Sequence, residues 1–96
     1  MFPHGDVIYP PKYVNAYVLA AGVGRGVTIP AGARIAVFSS NTNFYVNWLA
    51  TAAVPLANIT DGSAPELNPV ARDVSGYTSF SVVSQDACVL TIAYFL

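Results

Sequence analysis

The chain has 96 residues, of which 54% are hydrophobic and only 9% are charged, and its formal net charge at pH 7 is −1. This length predicts a single domain. Its four Lys and Arg residues are scattered rather than clustered, and no apolar run approaches the roughly 20 residues that span a bilayer. We therefore expect no nucleic-acid partner and no membrane, and the shortage of charge indicates a surface that contacts another protein.

The first twelve residues differ in composition from the rest of the chain. They contain three prolines and His4, the single histidine, and they follow neither a strand nor a helix period. Prolines oppose a central strand or a helix at this position. Between them lie apolar side chains suited to contact a partner, namely Phe2, Val7, Ile8 and Tyr9. We predict an extended N-terminal arm at residues 1–12 that becomes ordered on a partner, followed by a β-sandwich domain at residues 13–96.

Beyond the arm, short runs rich in Val, Ile, Phe, Tyr and Thr alternate with clusters of Gly, Pro, Asn, Asp and Ser. This alternation is typical of strands joined by turns. Strands are predicted at residues 13–21, 27–29, 33–39, 44–49, 78–84 and 88–95, with a further short strand near 71–74. The nearest helical competitor is YVNAYVLAAG, which Gly22 could cap, but no segment sustains a helical period. We therefore predict an all-β fold, a small β-sandwich that is jelly-roll-like.

The glycine-rich segment GVGRGVTIPAGAR at residues 22–34 could indicate a phosphate-binding loop. It lacks the Lys-Ser/Thr of a Walker loop, and Val27 stands where a dinucleotide fingerprint has its third glycine. No helix is predicted after it to receive a phosphate. We interpret the segment as a glycine-rich connection, a short strand, and a tight turn that contains Pro30 and Gly32.

Side-chain alternation predicts how the last two strands are buried. In TSFSVVS, Phe80 and Val82 should face the core, and the side that carries Ser79, Ser81 and Val83 should be wetter. The final run, CVLTIAYFL, is apolar on both sides, which predicts a strand at the centre of the sandwich or at a subunit contact. We expect a homo-oligomer, a trimer being favoured over a dimer, with contacts formed by Leu90, Ile92, Tyr94 and Phe95.

Residue types that carry catalysis or bind metals are scarce. His4 lies in the arm, where it cannot be held against a nucleophile, and one Cys with one His cannot form a zinc site. Asp61, Glu66 and Asp73 lack EF-hand spacing, so we interpret them as Asx turns and solvated surface. Cys88 lies in an apolar run, which predicts a buried thiol. We expect no enzyme activity, no cofactor and no metal.

Aromatic residues cluster in FYVNWLA at residues 44–50. Alternation places Phe44 and Trp48 on one side of a strand and Tyr45 on the other. We expect Phe44 and Trp48 in the core, because a small sandwich needs their apolar volume. If instead Tyr45 and Trp48 were exposed, they would offer stacking surfaces of the kind that carbohydrate-binding modules use.

Several segments between residues 23 and 96, in the order VTIPAGARIAVFSS, FYVNW, DGSAPELNP, SGYTSFSVVS and CVLTIAYF, resemble small virion proteins of tailed bacteriophages. These are turn and strand patterns rather than catalytic signatures. The resemblance implies a capsid decoration or cement protein, located on the capsid exterior, that binds the major capsid protein and clamps neighbouring subunits. Proteins of this kind often carry an N-terminal arm, and residues 1–12 are placed to serve as one.

Two alternative functions stay open from the sequence. One is a tail- or fibre-associated β-sandwich that binds a carbohydrate or receptor, which would need Tyr45, Trp48, Tyr77 or Tyr17 exposed on one face. The other is a tail or connector component that uses the same β-rich surface to build a ring. A decoration protein would act by mass action, because it binds the assembled shell and not the dissociated subunits.

Overall fold

The computed structural model describes residues 10–96, so the predicted arm contacts Phe2, Val7, Ile8 and Tyr9 lie outside the described residues. The described residues contain no helix, and hence none that is long and apolar enough to cross a membrane. They form eight strands: β1 (Tyr13–Leu19), β2 (Arg25–Thr28), β3 (Ile35–Ser40), β4 (Tyr45–Asn47), β5 (Glu66–Leu67), β6 (Ala71–Asp73), β7 (Ser79–Val83) and β8 (Cys88–Phe95).

The strands assemble into two antiparallel sheets of four strands each. Sheet A has the order β1-β8-β3-β6 and sheet B the order β2-β7-β4-β5. The pairs β1–β8, β2–β7, β3–β6 and β4–β5 join the first half of the chain to the second half in reverse order. This pairing is that of one long hairpin bent between β4 and β5, with its strands divided between the two sheets. The predicted all-β sandwich is confirmed.

The predicted strands correspond to observed strands, with shifted ends. Residues 13–19 pair with β8 along their whole length, so the helical alternative for this segment is wrong. The strand stops at Leu19 because the chain reverses there: Val23 N–H donates to the Ala20 carbonyl at 3.2 Å, and Gly22 adopts a positive φ of 71°. The short β6 matches the strand predicted near 71–74, whereas the two-residue β5 was not predicted.

The glycine-rich segment contains the predicted tight turn. Ala33 N–H donates to the Pro30 carbonyl at 3.1 Å, and Gly32 has a φ of 83°, in the region that glycine adopts without strain. Pro30 therefore occupies the first turn position and Gly32 the third. Val27, buried before the turn, belongs to β2, so the segment is built as a strand between two chain reversals.

The core lies between the sheets. On β8, the buried side chains are Cys88, Leu90, Ile92 and Tyr94. The ring of Phe38, on the neighbouring strand β3, packs 5.8 Å from those of Phe44 and Phe80, and Phe80 belongs to the opposite sheet. Each large apolar side chain buried in this way contributes about 1.5–3 kcal/mol. The Tyr94 hydroxyl has no hydrogen-bond partner among the described residues, and burial raises its pKa well above the ordinary value.

Candidate functional site

The side of sheet A that points away from the core carries several exposed apolar side chains. Its positions follow from the strand registers, since neighbours across the sheet share a side. We call this surface face A, and it comprises Val14, Ala16, Val18, Ile35, Val37, Ser39, Ala71, Asp73, Val89, Thr91, Ala93 and Phe95. Among these positions Asp73 alone is charged, and it lies on the edge strand β6.

Face A is continuous across the sheet. One row, formed by Val14, Ala93, Val37 and Ala71, crosses all four strands in register. Val18 is 77% exposed and is paired with Val89, which is 41% exposed. From ordinary strand spacing the face measures on the order of 400 Å². The largest apolar patch on a monomer is often a functional surface.

The outer side of sheet B, which we call face B, is more polar and is covered by the protein's own chain. The Ser81 hydroxyl accepts a hydrogen bond from Ala52 N–H at 2.8 Å, and Ala52 is only 2% exposed. Gly24 lies so close that a side chain there would come within 2.7 Å of the Ala52 carbonyl oxygen. Ser81 and Val83 are both buried. The side of β7 that was predicted to be wetter is therefore exposed only at Ser79.

The predicted oligomer contacts need correction. Leu90, Ile92 and Tyr94 are 0% exposed and belong to the core of a single chain, so no surface of theirs is available to another subunit. Phe95, on face A, keeps accessible surface. The strand is indeed central, between β1 and β3, but its accessible side carries the alternate residues, including Val89 and Ala93.

The aromatic cluster also differs from the predicted pair. Phe44 is buried as expected, whereas Trp48 is half-buried at the border of the core, with its ring 4.9 Å from that of Phe80. A cleft beside Trp48 is lined by Asn47, Glu66 and Tyr77, among others, but not by Tyr45. The structure therefore does not bring Tyr45 and Trp48 together as one stacking surface. Tyr77, whose ring lies 5.4 Å from Trp48, is its exposed aromatic neighbour.

An ion pair borders this aromatic cluster. Glu66 accepts hydrogen bonds from Arg72 Nη2 at 2.6 Å and from Trp48 Nε1 at 2.9 Å. The Arg72 hydrogen bond holds the pKa of Glu66 below its ordinary value, and the same contact raises the pKa of Arg72. Glu66 thus fixes the indole in place, a role that the sequence did not indicate.

The other two acidic residues considered from the sequence form local turns. Asp61 Oδ1 accepts from Ser63 N–H at 3.0 Å, and Asp73 Oδ1 accepts from Ser75 N–H at 2.9 Å. Hydrogen bonds from the side chains of Ser63 and Ser75, together with these backbone bonds, lower the pKa of the two carboxyl groups. The Asx-turn interpretation is confirmed for Asp61 and Asp73, whereas Glu66 is part of an ion pair.

No metal-binding cluster of three or more His, Cys, Asp or Glu side chains occurs within residues 10–96. Cys88 is buried and free, as predicted from its apolar surroundings. The chain matches no protein-family model, no curated protein and no solved structure.

Proposed function

We propose that this chain is a structural virion protein that binds the exterior of a phage capsid, packs face A against the major capsid protein and stabilises the shell. The observation that carries the proposal is face A, an exposed apolar sheet surface with one charged position at its edge. The resemblance to small phage virion proteins supports the choice of the shell as partner. Binding to the assembled shell alone would stabilise it by mass action.

The position of the arm fits the same partner. Lys12 N–H donates to the Tyr94 carbonyl at 2.8 Å, so the arm joins the sandwich at β1, an edge strand of sheet A. In the proposal, the arm and face A contact the same shell. The arm residues that would bind there are Phe2, Val7, Ile8 and Tyr9, through strand addition to an exposed sheet edge or apolar pockets.

Association of copies is part of the proposal, with a trimer favoured over a dimer. Phe95 is the predicted contact residue that retains accessible surface for it. Sedimentation velocity of the purified chain at micromolar concentration tests this part: a trimer is expected. A monomer would remove the oligomer from the proposal and leave face A free for the shell alone.

The number of copies per virion tests the proposed function itself. We expect on the order of hundreds of copies in purified particles, as repetition over a shell lattice requires. Particles that lack the chain should open at lower temperature than complete particles. A ring-like dozen copies would instead indicate a tail or connector component, and absence from the particle would overturn the virion assignment.

A further inference from the structure

A second surface lies beside sheet B and takes no lining residue from sheet A. It is a cleft of about 270 Å³ between β4, β5 and the loops that follow β4 and precede β7. Its lining includes Asn47, Trp48, Ser63, Glu66 and Tyr77. We call it the aromatic cleft. Apolar and aromatic walls with a few placed polar groups are typical of small-ligand sites.

We propose that the aromatic cleft binds the ring of a neutral sugar. The C–H face of the ring would stack on Trp48 and Tyr77, and its hydroxyl groups would bond to Glu66 and Asn47. This function goes beyond the proposed decoration role. Because the cleft and face A share no residue, a sugar site would stay accessible while face A is covered by the shell.

The aromatic wall is held in place before any ligand binds. Trp48 packs at 4.9 Å from Phe80 on its core side and donates its indole N–H to Glu66. Tyr77 stands beside it, tilted by 53° and 43% exposed. Two amphipathic rings at an angle offer a large contact area at little entropic cost, since few side-chain torsions remain to be fixed.

The polar groups of the cleft suit hydroxyl groups. The Asn47 side-chain oxygen accepts from the backbone N–H groups of Leu49 and Ala50, both at 2.9 Å, which leaves the Asn47 amide hydrogens as donors. The Glu66 carboxylate retains acceptor capacity beyond its bonds to Trp48 and Arg72. One donor group and one acceptor group beside an aromatic wall can bind adjacent hydroxyls in a defined orientation.

The charge of the cleft favours a neutral ligand. Glu66 is the charged residue among its lining residues, and Arg72 pairs with it at 2.6 Å. A phosphorylated or carboxylated ligand would find no unpaired cation in this lining, and a cationic ligand would compete with Arg72. A neutral sugar needs no unpaired cation for binding and does not compete with Arg72.

The chain contains a single tryptophan, so the intrinsic emission of Trp48 reports directly on the cleft. The full chain is titrated with glucose, galactose, mannose and N-acetylglucosamine, and with glucuronate as the charged comparison. We expect a saturable emission change with at least one neutral sugar at a dissociation constant on the order of 1 mM, and weaker binding of glucuronate. Amide shifts of Gly62 and Ser63 in NMR spectra should follow the same curve.

Tyr77→Ala is the test variant, and Tyr13→Ala is its matched control, because these tyrosines are 43% and 42% exposed. We expect Tyr77→Ala to weaken sugar binding at least about tenfold and Tyr13→Ala to leave it unchanged, each variant keeping the wild-type melting temperature. No saturable change with any neutral sugar up to about 50 mM would overturn the site, as would equal binding by Tyr77→Ala. Particle binding should be unaffected by Tyr77→Ala, which separates this inference from the proposed function.

Discussion

The two outer faces of the sandwich differ in polarity and in how far the chain itself covers them. Face B carries Ser79 and Ser81, and the chain itself covers part of it through Ala52. Face A carries a row of apolar side chains that runs from Val14 on β1 to Ala71 on β6, and it is the face with exposed valines. The more polar face is covered and the more apolar face is open.

This difference indicates that the described fold does not depend on the burial of face A for its stability. Burial of apolar surface stabilises a fold at about 25 cal/mol per Å², yet residues 10–96 leave face A accessible. The covering segment at Ala52 is instead bonded to face B. In the proposed function, this open apolar face is buried against a partner.

The largest effect is expected from Ala93→Arg, at the centre of the row that crosses face A. In the free chain the new guanidinium stays in water, so folding should be little affected. Against a partner it would be desolvated without a counter-charge, which should weaken particle binding at least about hundredfold. The measurement is occupancy of particles by co-sedimentation. Thr28→Arg, on exposed β2 of face B, is the control and should bind like the wild type; full occupancy by Ala93→Arg would remove face A from the interface.

Covering of face B should be sensitive to Gly24→Ala. The added methyl would meet the Ala52 carbonyl oxygen at 2.7 Å, and because that atom is backbone the segment must shift. We expect a loss of about 1–3 kcal/mol in the free energy of unfolding, measured by urea denaturation. Gly26→Ala, two residues further on in β2 with open space around it, is the matched control and should change stability by less than about 0.5 kcal/mol. Equal effects of the two variants would contradict this close approach.

A smaller loss is expected from Ser81→Ala. The variant leaves the Ala52 N–H, now bonded at 2.8 Å, without its acceptor in a buried position. The expected cost is about 1 kcal/mol in the free energy of unfolding. Ser79→Ala, on the exposed part of the same strand, should have no measurable effect. Combined with Gly24→Ala, the Ser81→Ala loss should be less than additive, because both act on the contact with Ala52.

Acid should act on the ion pair beside the aromatic cleft. The Arg72 hydrogen bond lowers the pKa of Glu66, so its contribution to stability is present above the ordinary value of 4.5 and is lost as the pH falls through the lower folded value. The effect is small because the pair is partly exposed. We expect Trp48 emission to change in this acid range, and Glu66→Gln to abolish that change. An acid transition that persists in Glu66→Gln would assign it to another group.

A change in salt concentration is expected to have the smallest effect on the binding of the chain to particles. Face A has one charged position, Asp73, so ions have little Coulomb energy to screen there. Occupancy of particles should change by less than about threefold between 50 mM and 500 mM NaCl. Release of the chain between low and moderate salt would contradict burial through face A.

Local chemistry explains what the sequence predicted correctly. The strands were found because β-branched and aromatic runs are bounded by turn residues, and the turn at Gly32 because its φ of 83° suits glycine. The Asx turns at Asp61 and Asp73 each depend on a serine that follows the aspartate by two residues in the chain. The residues that determine each of these features lie within a few positions of one another in the chain.

What was missed depends on distant contacts. β8 is apolar on both sides, so periodicity could not decide which side faces the core, and Leu90 was placed on the wrong surface. The burial of Ser81 requires Ala52, and the hydrogen bond from Trp48 to Glu66 joins residues on two different strands of sheet B or their ends. Such pairs become visible only when the topology is known.

Thiol labelling in intact virions tests the burial of face A most directly. The single natural cysteine, Cys88, is 4% exposed and should react slowly, so a cysteine introduced by Ala16→Cys on face A can be compared with one introduced by Thr28→Cys on face B. We predict that in particles position 16 is protected at least about tenfold relative to the unfolded chain, while position 28 labels freely. Equal labelling of both positions in particles would contradict the account.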